Sequence, residues 1–137
     1  MYRHKGKTME EILEKIVHIF ENYPQVKLAY FFGSKAKGTD GPLSDYDFAV
    51  YLDEKDPKKR FDIRLELLGK VAIKLKTDDV DLCVLNDIES PEFKYSVIRE
   101  GKLIYQKEPY KVLVEPSIWN EYFDFIYTLR KYGLTKA

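Results

Sequence analysis

The sequence predicts an α/β (α+β) fold, a small sheet flanked by helices, and three observations carry that prediction. Two apolar runs, Val26 to Phe32 and Tyr46 to Leu52, have strand length and are bounded by Gly, Pro and Asp. Longer stretches around them, beginning at Met9 and again after Pro57, carry apolar residues at helical spacing. With 137 residues, 45% hydrophobic and 34% charged, the chain has material for one core, so residues 1–137 are expected to form a single domain.

Each element has a local reason. Thr8-Met9-Glu10-Glu11 has the form of a capping box, and Met9, Ile12, Leu13, Ile16, Val17, Ile19 and Phe20 follow at helical spacing until Pro24. The first strand, Val26 to Phe32, is apolar enough to be buried on both faces. Gly38, Asp40, Gly41 and Pro42 make a loop before the second strand, Tyr46 to Leu52. Pro57 suits the first turn of a second helix, whose Phe61, Leu65, Leu68, Ala72 and Leu75 predict one stripe toward the sheet. Its Lys58-Lys59-Arg60 cluster reads as a solvated helix start. A third strand opens at Thr77, with Val80, Leu82 and Val84 on its buried face. Phe93, Val97 and Ile98 predict a short helix that Gly101 ends as a C-cap, and Lys102 to Gln106 a short strand. Residues 107–116 look irregular. A last helix, about 117–132, is crowded with Trp119, Tyr122, Phe123, Phe125 and Tyr127, more aromatic surface than one core-facing stripe needs.

The chemistry concentrates between Phe31 and Val50. The first strand ends at Gly33-Ser34, and ten residues later Asp45 and Asp47 sit two apart at the mouth of the second strand. A glycine there lets backbone approach a ligand, and Ser34 offers an amide and a hydroxyl to phosphate oxygens. Alternation places Asp45 and Asp47 on one face, where two carboxylates repel unless a cation lies between them. Such hard oxygen ligands suit Mg²⁺ carrying substrate phosphates. In the third strand Asp79 and Asp81 share a face, and either is placed to join them.

Gly33-Ser34, ten residues, then Asp45-x-Asp47 resembles the signature of the DNA polymerase beta-like nucleotidyltransferase superfamily, with Lys35-Ala36-Lys37-Gly38 similar to its usual Arg-Ala-Arg-Gly segment. The resemblance spans a catalytic core of about residues 9–105. It implies a small mixed sheet and selects Asp81 as the third carboxylate. The small size is similar to the minimal nucleotidyltransferase (MNT) group, antitoxins paired with HEPN-domain toxins. For this chain the resemblance implies catalysis and metal binding by Asp45, Asp47 and Asp81, with two Mg²⁺ ions. Gly33, Ser34, Lys35 and Lys37 would bind the nucleotide, AMP being moved from ATP onto a tyrosine of a HEPN ribonuclease toxin. Lysine keeps the charge of the family's arginines but loses their bidentate fork.

Composition excludes other classes. Twenty-three basic and 23 acidic residues cancel, so no nucleic-acid footprint is visible and direct nucleic-acid binding is not expected. No apolar run has membrane-spanning length and residues 1–7 lack a signal-peptide core, so a cytoplasmic protein with no membrane contact is expected. His4 and His18 have no ligand-spaced partner, which argues against zinc. Cys83 is the only cysteine and reads as a buried, inert thiol. Two other functions stay open on sequence alone: a non-catalytic antitoxin that blocks its toxin sterically, and a transferase for a small molecule such as an aminoglycoside.

Overall fold

The computed structural model describes residues 8–38 and 45–133. The expectations for residues 1–7, His4 among them, and for the loop around Asp40, Gly41 and Pro42 lie outside the described residues. The order is α1 (Met9–Glu21), β1 (Val26–Phe32), α2 (Ser34–Lys37), β2 (Tyr46–Leu52), α3 (Pro57–Leu75), β3 (Val80–Val84), a 3₁₀ turn Leu85–Asp87, α4 (Pro91–Glu100), β4 (Lys102–Gln106) and α5 (Tyr110–Lys131).

The four strands form one mixed sheet in the order β3-β2-β1-β4. β1 pairs antiparallel with β2 and with β4, while β2 and β3 are parallel. That parallel pair requires a crossover, which α3 supplies. Alternating strand residues feed two cores. Ala29, Phe31, Phe48, Val50, Leu82 and Val84 pack toward α1 and α3, and Leu28, Tyr30, Ala49 and Leu85 join Val97, Val114 and Ile118 on the side of α4 and α5.

Caps set the helix starts. Thr8 Oγ1 accepts from the Glu11 amide at 3.1 Å, and the Thr8 amide donates to Glu11 Oε1 at 3.0 Å, completing the capping box. Asp56 caps α3 by accepting from the Lys58 amide, and Ser90 caps α4 by accepting from the Phe93 amide. Arg60 is not merely solvated: its guanidinium bonds Asp87 at 2.6 Å and the carbonyls of Glu54 and Lys55.

Three expectations need correction, and that for Gly101 is met. The buried stripe of α3 is Leu67 and Val71, with Ile63, Leu68 and Leu75 half-buried, whereas Phe61 and Leu65 stand exposed. β3 begins at Val80, because the Asp79 amide turns back to Thr77 Oγ1. Gly101 is the C-cap of α4 as expected, its amide donating to the Val97 carbonyl at 2.8 Å from extended backbone, φ −79° and ψ 170°, and its lack of a side chain serves packing: a Cβ there would strike the Val97 carbonyl and lie 3.2 Å from the Phe32 Cβ. Residues 110–116 are helical, so α5 starts seven residues before Ser117 and contains Pro116. The proline removes one backbone donor on the side of Val112, which is exposed, so water can take the freed carbonyl.

The aromatic residues of α5 divide between inside and outside. Tyr122 stacks on Tyr95 at 3.9 Å between ring centres. Trp119, Phe123 and Tyr127, spaced by four, are half or more exposed along one outer stripe. Tyr30, buried in β1, donates from its hydroxyl to Glu115 Oε2 at 2.6 Å and so pins the sheet to α5.

Candidate active site

β1 ends where β2 begins, and that junction builds the site. Phe32 is the register partner of Asp47, so the residue after the strand, Gly33, arrives beside the Asp47 side chain. Gly33 has φ +86° and ψ −170°, a conformation open essentially to glycine alone. A Cβ at Gly33 would collide with Asp47 Oδ2 and stand 3.1 Å from its Cγ. Glycine is therefore required twice, for the turn and for the approach of the carboxylate. Beyond it the chain enters α2, which Gly38 closes at φ +77°.

β3 brings the second acid. Asp81 is the register partner of Asp47 across the parallel pair. Asp45 lies just before β2. The Asp47 carboxyl is held above the usual aspartate range by desolvation, by the charge of Asp81 and by the charge of Asp45. Asp79, the competing candidate, sits outside β3 and uses its carbonyl to accept from the Tyr46 amide at 2.9 Å. The structure thus brings Asp45, Asp47 and Asp81 together at the edge of Gly33.

The two lysines are placed differently. Lys35 lies over the Tyr46 ring, 4.8 Å from its centre, beside the acids that flank Tyr46. Lys37 pairs with Glu100 at the end of α4, Nζ to Oε1 at 2.8 Å, with both side chains half exposed. Ser34 opens α2 directly after Gly33. Tyr46 and Glu100 were not singled out by sequence, since nothing in spacing tells which aromatic or acid a short helix will meet. Cys83 is half-buried rather than buried, and its thiol is pushed up to about 12, mainly by desolvation, which accords with an inert thiol.

The donor set fits Mg²⁺. Among the described residues no three acid, histidine or cysteine side chains are arranged to hold an ion by themselves. Mg²⁺ does not require that: it takes one or two protein carboxylates and completes its shell with water and phosphate. The Asp47 carboxyl is raised first by desolvation and then by the like charges of Asp81 and Asp45, and a cation would relieve the latter part. A cavity of about 250 Å³ between Tyr51, Asn86, Lys94, Ser117 and Glu121 opens at the other end of β2 and takes no part in this arrangement.

No helix among the described residues is long and apolar enough to cross a membrane. The family model for polymerase beta nucleotidyltransferases matches residues 14–110. Protein adenylyltransferase MntA of Aphanizomenon flos-aquae (strain 2012/KM1/D3) is 32% identical over 111 residues, 75% of this chain and 72% of that protein. A chain in the crystal structure of a toxin-antitoxin with AMP-PNP aligns with TM-score 0.69 and 27% identity, over 91% of this chain and 95% of that one. A chain in the MntA-HepT toxin-antitoxin structure aligns with TM-score 0.67 and 25% identity, over 90% and 95%. The mixed sheet, the glycine turn and the facing acids accord with these matches, and the chain belongs to the polymerase beta nucleotidyltransferase family.

Proposed function

We propose that this nucleotidyltransferase moves AMP from ATP onto a hydroxyl of a partner HEPN-domain ribonuclease toxin, a tyrosine in our reading, and acts thereby as its antitoxin. The observation that carries the proposal is the convergence of Asp47 with Asp81 and Asp45 beside the Gly33 turn. A relative named as a protein adenylyltransferase supports AMP transfer to protein. The likeness to a toxin-antitoxin bound to AMP-PNP supports ATP as donor and a toxin as partner.

Each residue then has a task. The Gly33 and Ser34 backbone, with the Ser34 hydroxyl, would hold the β and γ phosphates. Lys35 adds positive charge where pyrophosphate departs, and Lys37 does so on release from Glu100. Asp45 and Asp47 would hold Mg²⁺ with the triphosphate, and Asp81 completes the acid set on the acceptor side, where it takes the proton of the attacking hydroxyl. Bound there as two ions, Mg²⁺ supplies stabilisation of the entering and leaving oxygens at the α-phosphorus. The acceptor oxygen forms its bond to that phosphorus as the bond to pyrophosphate breaks.

Intact-mass measurement of the HEPN partner, after incubation with this protein, Mg²⁺ and each ribonucleoside triphosphate, tests the proposal. The expected result is a gain of adenosine monophosphate that is lost with Asp45→Ala. A stable complex without mass gain would favour the steric antitoxin, and equal activity on a small alcohol without partner would favour a small-molecule transferase.

A further inference from the structure

We propose that Arg64 is a positioning residue for nucleotidyl transfer, tying α3 to the open edge of β3 and thereby keeping Asp81 in register with Asp47. The inference rests on the assignment of Asp81 to the acceptor side. β3 is five residues long and, among the described residues, pairs with β2 alone, so that its other edge meets no described strand. The Asp79 carbonyl accepts from the Tyr46 amide, and carbonyl directions alternate along a strand. Asp79, Asp81 and Cys83 therefore direct their backbone toward β2, while Leu82 directs its backbone outward.

Arg64 occupies that outward position. Its Nε donates to the Leu82 carbonyl at 2.7 Å from a half-buried side chain on α3. Among the described residues this is the hydrogen bond Arg64 makes, and no carboxylate competes for its head. Leu82 is fully buried, so the contact fixes the strand between the Asp81 carboxylate on one side and the core on the other.

The site supplies the force to be resisted. Asp47 and Asp81 are register partners of like charge, and their repulsion acts across a parallel pair, the weaker kind of ladder. A guanidinium stays charged at any working pH, so Arg64 both anchors the strand and sets a positive charge behind it. An edge strand carrying a catalytic acid needs such a fastening, since displacement of about 1 Å at a reacting group can lower the rate by about 10²-fold.

The test compares Arg64→Gln, Arg64→Lys and Val71→Ala, the last a cavity in the same helix that leaves the β3 edge alone. Steady-state transfer to the HEPN partner is measured at a temperature where all are folded, with melting temperatures in parallel. For Arg64→Gln, kcat should fall about 10-fold to 100-fold, with KM for ATP changed by less than about twofold. Arg64→Lys should recover part of kcat, and Val71→Ala should lose melting temperature without losing kcat. The proposal is overturned if Arg64→Gln keeps kcat at the level of Val71→Ala, or if KM for ATP rises in step with the loss. Should Arg64→Gln fail to fold, full kcat in Arg64→Lys would overturn it. Absence of transfer by the unaltered protein would remove the functional reading itself, which distinguishes that failure from failure of Arg64 alone.

Discussion

Asp47→Asn is expected to lower nucleotidyl transfer by about 10³-fold or more while leaving the fold intact and more stable near neutral pH. The loss follows from removing the acid that meets both Asp81 and Asp45. The gain follows from linkage. The folded state holds the Asp47 carboxyl above the usual aspartate range, so it binds this proton more tightly than the unfolded chain does. Stability therefore falls as pH rises from the usual aspartate range through the raised folded value, and is low above that window. In the Asn variant this contribution is absent. Denaturant melts across acid to neutral pH should show the two proteins converging at low pH and the variant ahead at neutral pH. A variant that transfers AMP at the unaltered rate would refute the carboxylate mechanism, and one less stable at pH 7 would refute the cost of desolvation and like charge at Asp47.

Gly33→Ala is expected to have the second largest effect, and on two measurements at once. The backbone at φ +86° and ψ −170° disfavours any side chain, at a cost of about 1–3 kcal/mol. The added methyl also takes the space of Asp47 Oδ2, so the carboxylate must turn away. Transfer should fall about 10²-fold, as for other displaced catalytic groups. Combining Gly33→Ala with Asp47→Ala separates the causes: the steric part of the stability loss should vanish in the double variant and the backbone part remain. Additive losses would show that the methyl never meets the carboxylate.

The strands that build this junction were legible from residues alone. Val26 to Phe32, Tyr46 to Leu52 and Lys102 to Gln106 are apolar runs with clear boundaries, and the structure has strands at those residues. The Thr8 capping box is equally local in origin. The errors came where two answers satisfy one pattern. α3 carries apolar residues around much of its circumference, so Phe61 and Leu65 make as good a stripe as Leu67 and Val71, and only the sheet chooses. α5 continues through Pro116 because that side faces water, a fact absent from the sequence. The approach of Asp47 to Gly33 was implied by adjacent strand ends. The register of Asp47 with Asp81 was not, since a crossover helix separates them and its length says nothing about alignment. The same gap hid Arg64, whose partner is a backbone carbonyl and leaves no mark in composition.

The outer stripe of α5 gives the protein a built-in optical probe. The chain has one tryptophan, Trp119, and it stands half exposed between Val112, Phe123 and Tyr127 on that stripe. Its indole emission therefore reads the wetness of a single face. A protein that covers the stripe would dry the ring and move emission to shorter wavelength, in Asp47→Asn as in the unaltered chain. Association can then be followed without label and without turnover, so that a variant unable to transfer AMP is still seen to bind.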